Sequence, residues 1–385
     1  MVDRPLRVVI AGGGVAALEA MVALRALAEG RAEVTLLAPE AEFSYRPLAV
    51  AEPFQVGEVQ RFELANLAGG CGAHHVRSAL AAVEAEERRI RTTRAVEMRY
   101  DALLIACGTQ ARPGIPGALT FRGPSDVPAF RALLDELDRG YVRQLVFAVP
   151  GGVTWSLPLY ELALLTAARL ARRAVRGVEL TLVTPEDEPL GLFGREASDD
   201  IGALLAARGI VLRTGAYAEA FEPGRLRLVP GETLDADRVV ALPRLKGPFL
   251  AGIPQDGEGF VRVDPHGRVE GLDDVYAAGD ITDFPVKQGG LATQQADAAA
   301  EAIAARAGAD LTPRPFAPVL RGLVLTGGVP RHLRAELKGG LGDRSTVSDE
   351  PLWWPAGKIA GRYLSPYLAE RAGLAYGSSS TPSLL

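Results

Sequence analysis

Cysteine is nearly missing from this chain of 385 residues: Cys71 and Cys107 are the only two, and they lack C-x-x-C spacing. Neither a disulfide framework nor a thiolate zinc site can be read from them. The adjacent His74 and His75 beside Cys71 also lack metal-ligand spacing, so no metal centre is expected and a loop preceding a strand is the plainer reading. Long apolar runs are absent too. The best, Leu159 to Leu170, is broken by Glu161 and falls short of the roughly 20 residues that cross a bilayer. Met1 to Pro5 carries no basic segment or apolar stretch of a secretory signal, which predicts a cytoplasmic protein. Lysine is confined to Lys246, Lys287, Lys338 and Lys358, no basic run stands out, and the net charge is −5. These features exclude an electrostatic footprint for nucleic acid.

What is present is ordinary globular material, 48% hydrophobic and 23% charged, enough for a large core in two or three domains. Leu6 to Ala11 is a continuous apolar run, the pattern of a parallel strand covered on both faces, and it stops at Gly12, Gly13 and Gly14. Ala17, Leu18, Met21, Leu24 and Leu27 continue at helical spacing, and Glu33 to Leu37 supplies a second strand. In such a unit Gly12 permits a tight turn, Gly14 lets the backbone approach a pyrophosphate, and Ala17 keeps helix and strand close. The helix N-terminus would face the phosphates. The acidic residue expected to end the second strand is replaced by Ala38-Pro39; Glu40 is either its substitute or a solvated loop carboxylate.

Ala102 to Ala106 reads as another buried strand, with Cys107-Gly108-Thr109 at its carboxyl end, where open α/β sheets bind ligands. Cys107 is open to two readings, a redox thiol or a small residue packed on a strand end. Far downstream, Asp274 to Asp280 is a strand ending in Gly279-Asp280. Lys287-Gln288-Gly289-Gly290 and an Ala-rich helix from Leu291 to about Ala305 follow. Asp280 can accept hydrogen bonds from a ribityl chain, or serve as a helix cap or turn residue. The N–H groups of Gly290, Leu291 and Ala292 are expected to face the N1/C2 edge of a flavin.

Gly12-Gly13-Gly14, Ala106-Cys107-Gly108 and Val275 to Asp280 together resemble the two-dinucleotide-binding-domain flavoproteins. Tyr45-Arg46-Pro47, Tyr160-Glu161 and Lys287-Gln288-Gly289 narrow the resemblance to the branch of sulfide:quinone oxidoreductases, type II NADH dehydrogenases and flavocytochrome c sulfide dehydrogenases. It spans about residues 6 to 330. The resemblance implies an α/β fold with two Rossmann-like domains and a small C-terminal α+β interface region. Its FAD domain is discontinuous, residues 1–113 and 238–310, around an NAD-like middle domain, 114–237, with 311–385 as the interface or lid. It implies FAD as cofactor and adds Ala16, Arg46, Pro47, Leu80 and Gln288 to the candidate flavin-binding set. Lys287 is the candidate catalytic residue, a charged group beside the flavin; a structural salt bridge is its alternative.

The middle domain has the strands Gln144 to Val149 and Glu179 to Val183 with a long helix between them, but its phosphate loop, Pro150-Gly151-Gly152-Val153-Thr154-Trp155, is degenerate. Proline offers no N–H, and an indole would hold helix and phosphate apart. The segment Gly151 to Ala163 looks more like the sulfide-oxidising relatives, whose loop carries a catalytic cysteine, yet neither cysteine of this chain falls there. No other side chain matches a thiol as a sulfur nucleophile, so cysteine-dependent sulfide oxidation is not expected.

From Asp310 onward Pro313, Pro315, Pro318 and Pro330 punctuate an extended stretch including Leu320 to Thr326, then a polar loop from Gly339 to Glu350. A helix over Lys358 to Glu370 would align Ile359, Tyr363 and Tyr367. Residues 351–371 are read either as an interfacial segment on the cytoplasmic face of a membrane, or as a lid packed on its own flavin or across a homodimer. The leading expectation is an FAD-dependent oxidoreductase moving two electrons from an unidentified small-molecule donor to a quinone-like acceptor. An NAD(P)H-dependent reductase with an atypical nucleotide site and a non-catalytic FAD-binding partner protein are the alternatives.

Overall fold

Strands from both ends of the chain build the first parallel sheet. The computed structural model describes residues 4–338 and 341–372. In it five strands run in the order Val275–Ala277, Ala102–Ile105, Leu6–Ala11, Ala32–Leu37, His74–Val76. Leu6–Ala11 and Ala102–Ile105 are apolar on both faces because both faces are covered. Register then aligns their ends: Ala11 lies opposite Ile105 and Leu37, and Ala277 opposite Ile105. The residues that follow, Gly12, Ala106 and Ala278-Gly279-Asp280, therefore emerge together at one carboxyl edge.

Seven α-helices are described: α1 Val15–Ala28, α2 Leu64–Gly69, α3 Val127–Asp138, α4 Leu157–Arg172, α5 Arg195–Ala207, α6 Gly289–Arg306 and α7 Leu364–Arg371. Helices α1 and α6 are alanine-rich, almost entirely buried, and pack along one another. A second sheet, also parallel, runs Leu119–Thr120, Arg238–Ala241, Gln144–Ala148, Glu179–Val183, Ile210–Arg213, with α4 joining its third and fourth strands. The α/β architecture with two Rossmann-like units is thus the observed one.

Two segments of the C-terminal region differ from the sequence-based expectation. Residues expected to be a polar loop include the strand Leu341–Ser348, third in an antiparallel sheet with Val319–Val324 and Arg331–Lys338. A polar sequence is compatible with an edge strand, since only one side of its backbone needs a partner and charge there discourages further pairing. The expected helix over Lys358 to Glu370 begins only at Leu364. Residues 358–363 form an irregular strap instead, because Glu19 on α1 accepts the N–H groups of Tyr363 (2.7 Å) and Leu364 (2.8 Å) and so fixes where the helix starts. Gly361 lies against this carboxylate, where a Cβ would stand 2.4 Å from its Oε2. No helix among the described residues is long and apolar enough to cross a membrane.

Candidate functional site

The glycine turn and the distant Gly-Asp tip meet at the edge of the first sheet. Gly12 has φ +143°, and a Cβ there would lie 2.1 Å from the carbonyl oxygen of Ala106, so glycine is required by both conformation and space. A Cβ on Gly13 would press on Leu64 and Ala38, with Glu40 Oε2 3.7 Å away, which places the exposed Glu40 beside the turn. Gly14, the N-cap of α1, faces open space, with nothing within 4 Å of its Cβ position. Across the turn, a Cβ on Gly279 would approach Ala16 Cβ at 3.0 Å. Ala17 is buried beneath, and Ala106, Cys107 and Gly108 complete the same edge. Cys107 is exposed at this edge, and desolvation by the surrounding chain pushes its thiol up to about 11. Leu80 packs against the strand ends that form this edge, Ala11, Leu37, Ile105 and Ala277. It does so on the opposite face of the sheet from α1.

Next to the tip lies a cavity of about 520 Å³, whose walls include Arg46, Pro47, Asp280, Lys287 and Gln288. Among the described residues Asp280 receives no hydrogen bond; burial raises its carboxyl, while Lys287 and Arg46 oppose that rise. Arg46 itself has no ion pair among the described residues, so its charge is free to face a ligand. Lys287 donates from Nζ to the Thr282 carbonyl and stands 4.0 Å over the Phe260 ring. Burial lowers it to about 8 against the pull of Asp280, Asp283 and Asp256. These contacts place the amine beside the tip carboxylate rather than in a surface ion pair.

Helix α6 starts differently from the expected flavin-facing arrangement. Gln288 is 6% exposed and caps the helix, its Oε1 accepting the Leu291 N–H at 2.8 Å and its Nε2 donating to the Arg321 carbonyl at 3.1 Å. The Leu291 and Ala292 N–H groups also point at the Gln288 carbonyl, 3.1 and 2.9 Å away. Neither is free to face a cofactor, so the expected row of donors reduces to the Gly289 and Gly290 end of the helix.

The opposite wall comes from the middle unit. Thr154 Oγ1 donates to the Pro285 carbonyl at 2.6 Å, tying the degenerate loop to the segment that precedes Lys287. Trp155 packs its ring 5.9 Å from that of Phe193 and lines the cavity. Just past the strand Glu179–Val183, where a dinucleotide fold presents its ribose-gripping carboxylate, stands Glu186. Its oxygens are already occupied by Ser156 (2.9 Å), Tyr160 (2.7 Å) and Thr184 (2.7 Å). Burial raises this carboxyl, and the three hydroxyls oppose the rise.

Two cavity-lining residues escaped the sequence reading as a pair. Glu161 of α4 and Lys358 of the strap form a buried ion pair, and Glu161 Oε1 also accepts the Leu325 N–H at 2.7 Å. Burial pushes the acid up and the amine down, each opposed by its partner. The only signals available in sequence were Glu161 interrupting an apolar helix and the scarcity of lysine. The strap also buries Ile359, whose N–H donates to Tyr45 Oη at 2.8 Å and whose side chain covers Gly289. Trp353 is half-buried, donating from Nε1 to the Gly357 carbonyl at 2.9 Å, whereas Trp354 is exposed.

Comparison with known proteins identifies the family and the fold. Two NADH dehydrogenase-like proteins of Mycobacterium tuberculosis are 28% identical over 234 residues, which cover 57% of this chain and 58% of theirs. The chain thus spans well under two thirds of the length of these relatives. The fold is similar to that of a sulfide:quinone oxidoreductase from Aquifex aeolicus, with TM-score 0.81, 20% identity, and coverage of 89% of this chain and 86% of that one. It is also similar to a ferredoxin reductase from Rhodopseudomonas palustris, with TM-score 0.67, 19% identity, and coverage of 86% and 83%. NDH2 of Plasmodium falciparum in complex with NADH gives TM-score 0.60 and 18% identity over 72% of this chain and 65% of that one. The family model for pyridine nucleotide-disulphide oxidoreductase matches residues 6–304, and the chain belongs to that family.

Proposed function

We propose that the chain binds FAD between the Gly12–Gly14 turn and the Gly279-Asp280 tip and passes two electrons through it to a quinone-like acceptor. One observation carries this reading: Asp280 is a carboxylate with no protein donor, one residue from the glycine that packs on Ala16 at the start of α1. Its oxygens stand open to the cavity with their acceptor capacity unused by the protein, and the hydroxyls of a ribityl chain would fill it. Gly14 leaves room for a pyrophosphate at the α1 N-terminus, where dipole and N–H groups favour negative charge.

FAD, when bound, supplies the hydride and electron chemistry. The protein's part is orientation, charge and proton supply. Arg46 and Lys287 bring positive charge to the cavity, and the Gly289-Gly290 end of α6 adds the helix dipole. Glu161 and Lys358 hold a proton at the wall, suited to an acceptor that takes up protons with electrons. Of residues 351–371, Trp354 is the aromatic left outward, while Lys358, Ile359, Leu364, Tyr367 and Leu368 are buried. We therefore read this segment as a cover for the cavity.

A second reading, with NAD(P)H as donor, is favoured by the names of the mycobacterial relatives. Against it stand Pro150, which offers no N–H, Trp155 in the loop, and Glu186, whose oxygens are already taken. Anaerobic mixing of the FAD-saturated protein with NADH, NADPH or sulfide, followed by flavin absorbance, tests the choice. We expect neither nicotinamide to bleach the flavin on a catalytic timescale; bleaching by NADH would establish the second reading. A protein that keeps flavin but, after photoreduction, passes no electrons to a soluble quinone would be a binding partner rather than an enzyme, and failure to retain FAD would remove the proposal.

A further inference from the structure

Away from the cavity, α1 and α6 bring two acids together, Glu19 fully buried and Asp297 partly so. Glu19 is 0% exposed and accepts the N–H groups that open α7, and Asp297 of α6 lies within hydrogen-bonding contact of it. Asp297 Oδ1 is buried and finds no donor among the described residues. We propose that Glu19 and Asp297 share one proton, and that this proton latches the strap carrying Lys358 and Ile359 onto the cavity.

The charges around the pair leave little alternative. From α6 comes Glu301, which pairs with Arg314 of the loop that follows α6 and with Arg362 of the strap, the latter at 3.2 Å. Tyr363 also faces the group from the strap. Arg362 and Arg314 act on Asp297 from outside the pair, but both are at least half-exposed and engaged by Glu301. Two ionised carboxylates in contact without a dedicated cation repel strongly, whereas a protonated Asp297 donates to Glu19 and leaves the latter's oxygens as acceptors for Tyr363 and Leu364. Burial first, then Glu19, pushes Asp297 up to about 9, with Arg362 opposing.

The latch makes strap opening a proton-releasing step. In the closed state the pair keeps its proton well above the ordinary carboxylate range; in the open state both acids meet water and ionise within that range. By linkage the opening constant rises about tenfold per pH unit between the open-state and closed-state values and levels off above them. Opening would draw Lys358 away from Glu161 and Ile359 off Gly289. Only the consequence for turnover rests on the proposed flavin reading; the latch itself does not.

Native-state hydrogen exchange of residues 359–372 in the full chain, with and without FAD, tests it across pH 6 to 9. After correction for intrinsic exchange, the wild-type opening constant should climb about tenfold per unit. Asp297→Asn donates to Glu19 without titrating and should be flat with pH. Glu19→Gln should be more open at every pH and climb less steeply than the wild type, because burial alone then holds the Asp297 proton. Trypsin cleavage after Arg362 in the wild type gives an independent reading and should follow the same climb. A flat wild-type response by both methods, or an unchanged slope in Asp297→Asn, would overturn the latch. Neither readout needs bound flavin, so these results separate failure of the latch from failure of the flavin assignment.

Discussion

Glu161 and Lys358, 197 residues apart in sequence, meet as an ion pair whose side chains are 1% and 5% exposed. An isolated pair so deeply buried stabilises little over an apolar substitute, but breaking it leaves one charge stranded. Lys358→Met should therefore cost about 3–5 kcal/mol in urea unfolding of the flavin-free protein, and Glu161→Gln added to it should recover part of that loss. Equal losses in single and double variants would show that the pair is not coupled.

Gly12 and Gly14 predict opposite outcomes for the same substitution. Gly12→Ala drives a Cβ into the Ala106 carbonyl at φ +143° and should lower the melting temperature of the flavin-free protein by several degrees. Gly14→Ala meets open space and should leave that melting temperature unchanged while weakening FAD binding, as followed by flavin fluorescence. Comparable destabilisation in both would contradict the division of labour.

Asp280 should control flavin retention more than folding. Asp280 lines the accessible cavity without a protein hydrogen-bond donor, so Asp280→Ala breaks no hydrogen bond and should change thermal stability without flavin little. The same variant should purify with little or no FAD, whereas Asp280→Asn should retain part of it. Full retention by Asp280→Ala would remove the ribityl assignment.

Lys287 should impose a pH dependence near 8. Burial depresses its folded-state value from 10.5 to about 8, so between those values the unfolded chain binds more protons than the folded one. Stability therefore rises with pH across that window, and below about 8 the cost of the buried cation is fully present. Lys287→Met should abolish this rise in urea unfolding. If Lys287 faces the flavin, the reduction potential of the wild type should also lose a positive charge's support above pH 8, and the variant should not.

Much of the fold was legible because its cues are local. Leu6–Ala11, its glycines and the alanine-rich α6 each declare themselves within a few residues through apolar continuity, turn chemistry and helical spacing. The failures lie where a distant partner decides. Leu341–Ser348 is polar enough to read as a loop until Arg331–Lys338 supplies its hydrogen bonds. The start of α7 is set by Glu19, more than 340 residues earlier. Leu291 and Ala292 could be named as free donors only while the Gln288 cap was unseen.

By itself the sequence determined that two glycine-bounded parallel strands would end in a nucleotide-type turn and a Gly-Asp tip, because backbone sterics and apolar patterning act over short range. Tertiary structure alone decided that Glu186 is consumed by three hydroxyls, and that Glu161 meets Lys358 and Glu19 meets Asp297. The reason is physical: a buried charge is tolerable only beside its partner, and the partner's position follows from packing the whole chain.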